Sequence, residues 1–480
     1  MPDLPLPGDA EPGDSEPAGP GNADAGNADA GYGGPEDGGT GNQEPAGTPF
    51  GMGIPFGAGM GATGPGGFDF SQVDLNQVMR MLQSTGPVNW EVARQTAEWV
   101  ALEGKPEPSV ASADRVQFEE LAQAAQTLVV GETGLTATFA TRVQTVGPKG
   151  WVDLHLVALR PVLEALASTL GQALEVDDGD GDAALDDDLA GIAGLSGLGD
   201  LGALAGLGGS GLIKLIAPAL LGVQSGSMIG YLAQHALGRY DLPLPTGPLP
   251  AASTGGSNEG GGDQPSLCFV VSNIDAFGAE WSLARDDLRF AVVLHEVVHA
   301  AERSVPWVRA RLVRLAADYV SNYEIDPSAF ESEFGAFDPS DPSSMEAMAS
   351  SPERVLGAMQ SPRQAAPREE LQRLTAVIEG YADHVAALIG RRLIPEYDRI
   401  NEAMQRHRVE RGEAERFIEG LLGLKLERAH YEQGQAFCDG VIERAGLDGL
   451  NRLWESETML PTPNELAAPG LWLARIDLPN

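Results

Sequence analysis

The chain contains no lysine or arginine before Arg80, and over its 480 residues only 31 basic side chains stand against 69 acidic ones. A formal net charge of -38 repels phosphate backbones and anionic headgroups, so nucleic acid and anionic membrane surfaces are excluded as expected partners. Cysteine is scarce as well. Cys268 and Cys438 allow at most one disulfide, which rules out a disulfide-built scaffold. The N-terminal stretch has neither the basic region and apolar core of a secretory signal nor the arginines of a transit peptide, so a cytoplasmic protein with reduced, buried thiols is expected. Long uninterrupted apolar runs are also missing. The nearest approach, residues 212–237, is broken by Lys214, Gln224, Gln234 and His235 and carries Pro218. It therefore reads as a buried helix with His235 as a hydrogen-bonded core residue, and no stable membrane insertion is expected. A factor anchored to a membrane through this segment is the weaker alternative.

Glycine, proline and acidic residues are abundant at the start. Residues 1–66, with the tandem GNADA-GNADA, have the composition of a disordered acidic tail. Residues 67–480 are expected to form one large helical domain, interrupted by low-complexity insertions at about 175–210 and 243–265. Apolar spacing predicts helices over 68–84, 86–104, 114–130, 151–174, 212–237, 288–301, 306–323, 368–393, 395–408, 413–422, 426–444 and 449–454. The clearest strand is 267–271, LCFVV. It reads equally as an upstream strand forming part of a cleft wall and as an apolar loop packed on the core. The fold class is thus mainly α with minimal β.

The chemistry lies in His295-Glu296-Val297-Val298-His299. Residues four apart on a helix share a face, so His295 and His299 can present ring nitrogens to one metal ion. Glu296 can then reach a water beside that ion and act as its base. The surrounding LRFAVVLHEVVHAA is apolar nearly all round, which predicts burial, and buried imidazoles are costly unless partnered. Asp286 and Asp287 are expected to cap this helix. Glu302 and Val305 stand where one zinc-peptidase class needs Gly and His, so a downstream acid must supply the third ligand. Glu379, in LTAVIEGYADHVAALIG, is the best candidate. Thr375, Glu379, Asp383, Ala386 and Gly390 share one side of that helix, a strip of small residues that lets another helix come close. Asp383 is placed to hydrogen-bond the far nitrogen of a ligating histidine. Glu302 reads as a surface residue.

Glu379-Gly380-Tyr381-Ala382-Asp383 looks like the third-ligand segment of gluzincins. Together with segments 86–95, 305–312, 378–385, 431–437 and 452–466, the chain resembles a bacterial family of zincin-like hydrolases. Members are described as zinc-dependent metalloproteases or as associated with deazaflavin-coenzyme biosynthesis. The resemblance implies a mainly helical zincin-like fold, zinc on His295, His299 and Glu379, and Glu296 as base. The expected function is hydrolysis of a peptide or protein substrate by metal-activated water. Tyr381, His384, His430 and Tyr431 are candidate donors to the oxyanion, and the sequence does not rank them. The competing expectation is a zinc-stabilised helical scaffold that cleaves nothing. Such a site is closed by a fourth protein ligand and has no use for Glu296.

Overall fold

The computed structural model describes residues 86–135, 143–175, 208–245, 267–324, 359–410 and 412–478, with residue 357. The expected tail 1–66, the helix over 68–84 and most of both insertions lie outside these residues. The described residues form thirteen α-helices and one two-stranded sheet, so the fold is mainly α with minimal β. In chain order they are α1 (Trp90–Leu102), α2 (Ser112–Thr133), β1 (Val143–Val146), α3 (Pro148–Glu175), α4 (Gly208–His235), β2 (Leu267–Val270) and α5 (Val271–Glu280). There follow α6 (Arg285–Ser304), α7 (Pro306–Ser321), α8 (Ala365–Leu393), α9 (Tyr397–Val409), α10 (Glu413–Leu421), α11 (Arg428–Asn451), α12 (Pro463–Ala467) and α13 (Pro469–Ile476). Strand β1, helix α5, which begins at Val271 inside the expected strand, and the last two helices carry no long apolar period and are not among the expected elements.

Helix α6 is the centre of the packing. Val292, Val293, Val297 and Val298 are β-branched and weak helix formers, so the surroundings rather than intrinsic propensity hold this segment helical. All four are buried, as is every residue from Ala291 to Arg303. Its N-cap is Ala284, which makes no side-chain bond. Asp286 and Asp287 instead lie inside the first turn, where they complement the helix dipole without capping it.

Glycine sets how closely two other pairs approach. On α4, Gly222, Gly226 and Gly230 face α1, and a Cβ at Gly226 would lie 2.3 Å from the Ala93 carbonyl oxygen. Helices α8 and α11 meet in the same way through Gly380 and Gly434, where a Cβ on Gly434 would lie 2.0 Å from the Ala376 oxygen. Close approach of α8 to α11 thus uses Gly380, beside Glu379, while the expected strip faces other helices: Glu379 and Asp383 face α6, and a Cβ on Gly390 would lie 2.2 Å from the Tyr397 ring of α9. His235 is exposed at the end of α4, 3.7 Å from Glu415, and is not a core residue. Among the described residues no helix is long and apolar enough to cross a membrane.

The sheet positions one loop. β1 and β2 pair in parallel, Val143 opposite Leu267 through Val146 opposite Val270. The other edge of β2 is taken by the chain leaving α4: Gly238 bridges Phe269, and Val270 N–H donates to the Leu237 carbonyl at 2.9 Å. The strand reading of 267–271 therefore holds, but both edges of β2 are covered and neither is free for a peptide. What β2 does is press residues 237–240 toward α6.

Candidate metal centre

Helices α6 and α8 pass side by side, each offering two polar residues one turn apart. His299 Nε2 lies 3.8 Å from Glu379 Oε1, and His295 Nε2 lies 3.9 Å from Asp383 Oδ1. One donor atom from each of His295, His299 and Glu379 falls within 4.8 Å of the others, and all three residues are buried. Both Nε2 atoms are buried without a hydrogen-bond partner. An unpaired polar atom in such a place costs about 1–3 kcal/mol, so two of them facing carboxylates need an explanation. A divalent cation supplies one. Two imidazole nitrogens and a carboxylate oxygen are a donor set that suits zinc.

The electrostatics favour ligand-ready imidazoles. Burial, reinforced by the nearby Arg408 guanidinium, lowers the pKa of His295 to about 4. Burial also holds His299 well below its ordinary value, helped by His295, Arg303 and Arg408. Both rings are therefore neutral at physiological pH and keep a lone pair. Burial raises the Glu379 carboxyl, against the pull of Arg408. The Arg408 guanidinium donates to Glu379 Oε2 and to Asp383 Oδ1, each at 2.7 Å, and lies 5.6 Å from the Tyr431 ring centroid. Burial works against its charge, yet Asp383 and Glu379 together hold its pKa above the ordinary value.

On the far side of His299, Glu302 Oε2 lies 2.8 Å from Nδ1. This contact is shorter than the 3.4 Å from Nδ1 to the Arg303 guanidinium. With this carboxyl oxygen as acceptor, Nδ1 carries the proton and Nε2 the lone pair. Glu302 is wholly buried, and burial raises its carboxyl well above the ordinary value.

Glu296 points to a different neighbourhood. Its carboxylate accepts from Arg239 N–H at 2.9 Å and from Tyr240 N–H at 2.9 Å to Oε1 and 3.0 Å to Oε2. Gly238 makes this fit possible, since a Cβ there would lie 2.5 Å from Glu296 Oε1. The Trp151 indole N–H donates to the Gly238 carbonyl at 2.8 Å and fixes the loop from behind. Burial, with the Asp241 charge adding to it, pushes the Glu296 carboxyl up to about 8.

A buried helix with this histidine pair, met by an acid from a second helix, is a zincin arrangement, and the family model for zincin-like metallopeptidases matches residues 88–473. The chain belongs to the zincin-like metallopeptidase family. Family membership implies hydrolytic chemistry and a metal, usually zinc. A solved structure from Chloroflexus aurantiacus, provisionally described as a hydrolase with a novel fold, aligns with 82% of this chain and 100% of its own. At 24% identity and a TM-score of 0.53, that likeness is one of fold. No curated protein shows a significant match.

The zincin-like centre does not gather every residue the sequence nominated. Tyr381 donates to Asn451 Oδ1 at 2.8 Å and packs edge-on to Trp454. His384 pairs with Asp439 at 3.1 Å, and His430 accepts the Glu427 N–H at 3.0 Å at the start of α11. Only Tyr431 reaches the centre, through its ring contact with Arg408. Glu302, expected at the surface, is inside. The bond expected from Asp383 to a far ring nitrogen is made instead by Glu302, and Asp383 faces an Nε2. Glu302 had a signal, since it stands three residues after His299 on the same helical face. Arg408 and the loop 238–240 had none, because each is brought in by tertiary packing alone.

Proposed function

We propose that this zincin-like protein is a zinc-dependent peptidase, acting in the cytoplasm on a peptide or protein substrate. The observation that carries the reading is the pair of buried, unpartnered Nε2 atoms opposite the Glu379 and Asp383 carboxylates. His295, His299 and Glu379 would hold the ion. Bound there, zinc supplies Lewis acidity to a scissile carbonyl and lowers the pKa of water to about 7.

The chain's own residues supply the rest. Glu302 keeps the His299 proton on Nδ1, so that the lone pair faces inward. Arg408 holds Glu379 by Oε2 and leaves Oε1 turned to His299. Glu296 would be the proton carrier: its ionised form takes a proton from the water whose oxygen bonds to the scissile carbonyl carbon, and returns it to the nitrogen as the C–N bond breaks. Its two oxygens have lone pairs left beyond the amide contacts with Arg239 and Tyr240. Tyr431, whose ring lies against Arg408, would be the oxyanion donor among the nominated residues. Both cysteines are free and buried, which suits a reducing compartment.

One observation favours a second reading. Asp383 lies as near to His295 as Glu379 does to His299, and a fourth protein donor is what closes a structural zinc site. Metal analysis of wild type beside His295→Ala and Glu379→Ala, followed by peptide-library hydrolysis with Glu296→Gln, separates the two. The peptidase reading expects stoichiometric zinc in wild type, its loss in both ligand variants, and a zinc-loaded but inert Glu296→Gln. A zinc-loaded wild type that cleaves no peptide would favour the scaffold.

A further inference from the structure

Glu379 and Asp383 stand one turn apart on α8 at nearly the same distance from an imidazole nitrogen, 3.8 and 3.9 Å. By distance alone either can serve as a donor. What separates them is the single guanidinium lying across both. On Glu379, Arg408 takes Oε2 and leaves Oε1, the oxygen nearer His299. On Asp383 it takes Oδ1, the very oxygen nearer His295. The rigid fork binds both carboxylates at once in directions fixed by its plane, which a freely rotating ammonium does not impose. The third nitrogen, Nε, is buried without a hydrogen-bond partner, so the guanidinium's hydrogen bonds shown here go to these two acids.

We infer that Arg408 is a positioning residue that selects Glu379 as the third ligand and withholds Asp383, keeping a four-donor site from closing. The inference rests on the zinc reading above and deepens it. An ordinary buried ion pair would brace the two helices without discriminating between their oxygens. Here removal of the guanidinium should free Asp383 Oδ1 to join the ion. An added carboxylate donor and a lost positive charge both strengthen cation binding, so affinity should rise.

The test uses full-length protein loaded with zinc for affinity, by chelator competition, and with cobalt(II) for the visible spectrum. Arg408→Met should bind zinc at least about tenfold more tightly than wild type. Azide should shift the cobalt spectrum of wild type and not that of Arg408→Met. Adding Asp383→Asn to Arg408→Met should restore the azide response, and Asp383→Asn alone should leave the wild-type cobalt spectrum as it is. Weaker zinc binding by Arg408→Met with an intact azide response would overturn the inference, as would loss of the wild-type cobalt spectrum in Asp383→Asn. If Arg408→Met fails to fold, Asp383→Asn and Arg408→Lys, with its single ammonium, still decide the matter. A wild type that takes up no metal fails the zinc reading itself, an outcome distinct from both.

Discussion

Helices α1 and α4 meet through missing side chains, whereas α6 and α8 meet through charged ones. The first contact lets Gly222, Gly226 and Gly230 sit on the backbone of α1, so its stability comes from shape and dispersion. The second encloses His295, His299, Glu379, Asp383 and Arg408, and each group must be compensated by another. A contact of the first kind is complete within the chain. The second leaves two ring nitrogens without a hydrogen-bond partner, facing the donor set that could hold a metal ion. Stability and chemistry are thus carried by different helix pairs of one fold.

The sharpest way to break this division is to overfill the glycine contact. Gly226→Val adds atoms where even a Cβ would lie 2.3 Å from the Ala93 oxygen, so the helices must separate. A loss of about 1–3 kcal/mol is expected, read as a lower urea midpoint of equal size with and without zinc. Unequal losses would mean that the two contacts are coupled.

Next comes removal of the metal. With free zinc at about 100 times its Kd, binding to the folded state alone stabilises by about 2.7 kcal/mol, and a chelator should remove that increment in wild type. His299→Ala should show no chelator effect, whereas Gly226→Val should show the full one. A smaller effect is expected from Glu302→Ala, which frees His299 to change tautomer and rotate. Zinc affinity should fall about 10- to 100-fold, with Glu302→Gln between the two. Unchanged affinity in Glu302→Ala would remove Glu302 from the metal centre.

Legibility in the sequence follows the same division. Helices with a long apolar period were readable to within a few residues, because one buried face leaves its spacing in the chain. The residues expected from 306 to 323 form α7, and those from 368 to 393 form α8. The histidine pair and Glu379 were readable because helix geometry relates spacing to a shared face. Arg408 was not, since an arginine near the end of a polar helix has no local mark of burial. Its partners lie on another element, 25 and 29 residues away. Nor was the loop 238–240, which is placed by the edge of β2 and by Trp151.

The smallest effect sharpens the comparison from the side of α3. His155 is buried, stacks on Trp151 with ring centroids 3.6 Å apart, and lies with Nε2 3.5 Å from the Arg239 carbonyl, behind the loop that holds Glu296. Burial lowers its pKa to about 3, so the folded protein keeps the ring neutral where the unfolded chain protonates it. The sign follows from that difference. Stability from neutral His155 is complete above the unfolded value of about 6.5 and is lost as pH falls toward 3. One unit into that window, near pH 5.5, the loss is about 1.4 kcal/mol. Urea midpoints of the chelated protein at pH 7.5 and 5.5 should therefore differ more for wild type than for His155→Phe, which keeps the ring stack and cannot take a proton. Chelation removes the zinc contribution from both sides, and the buried His295 and His299 are common to both proteins, so the difference between the two slopes is the acid sensitivity of the loop's support. Equal pH slopes in the two proteins would place the acid sensitivity elsewhere, in the buried His295 and His299 imidazoles between α6 and α8, whose pKa values are also lowered.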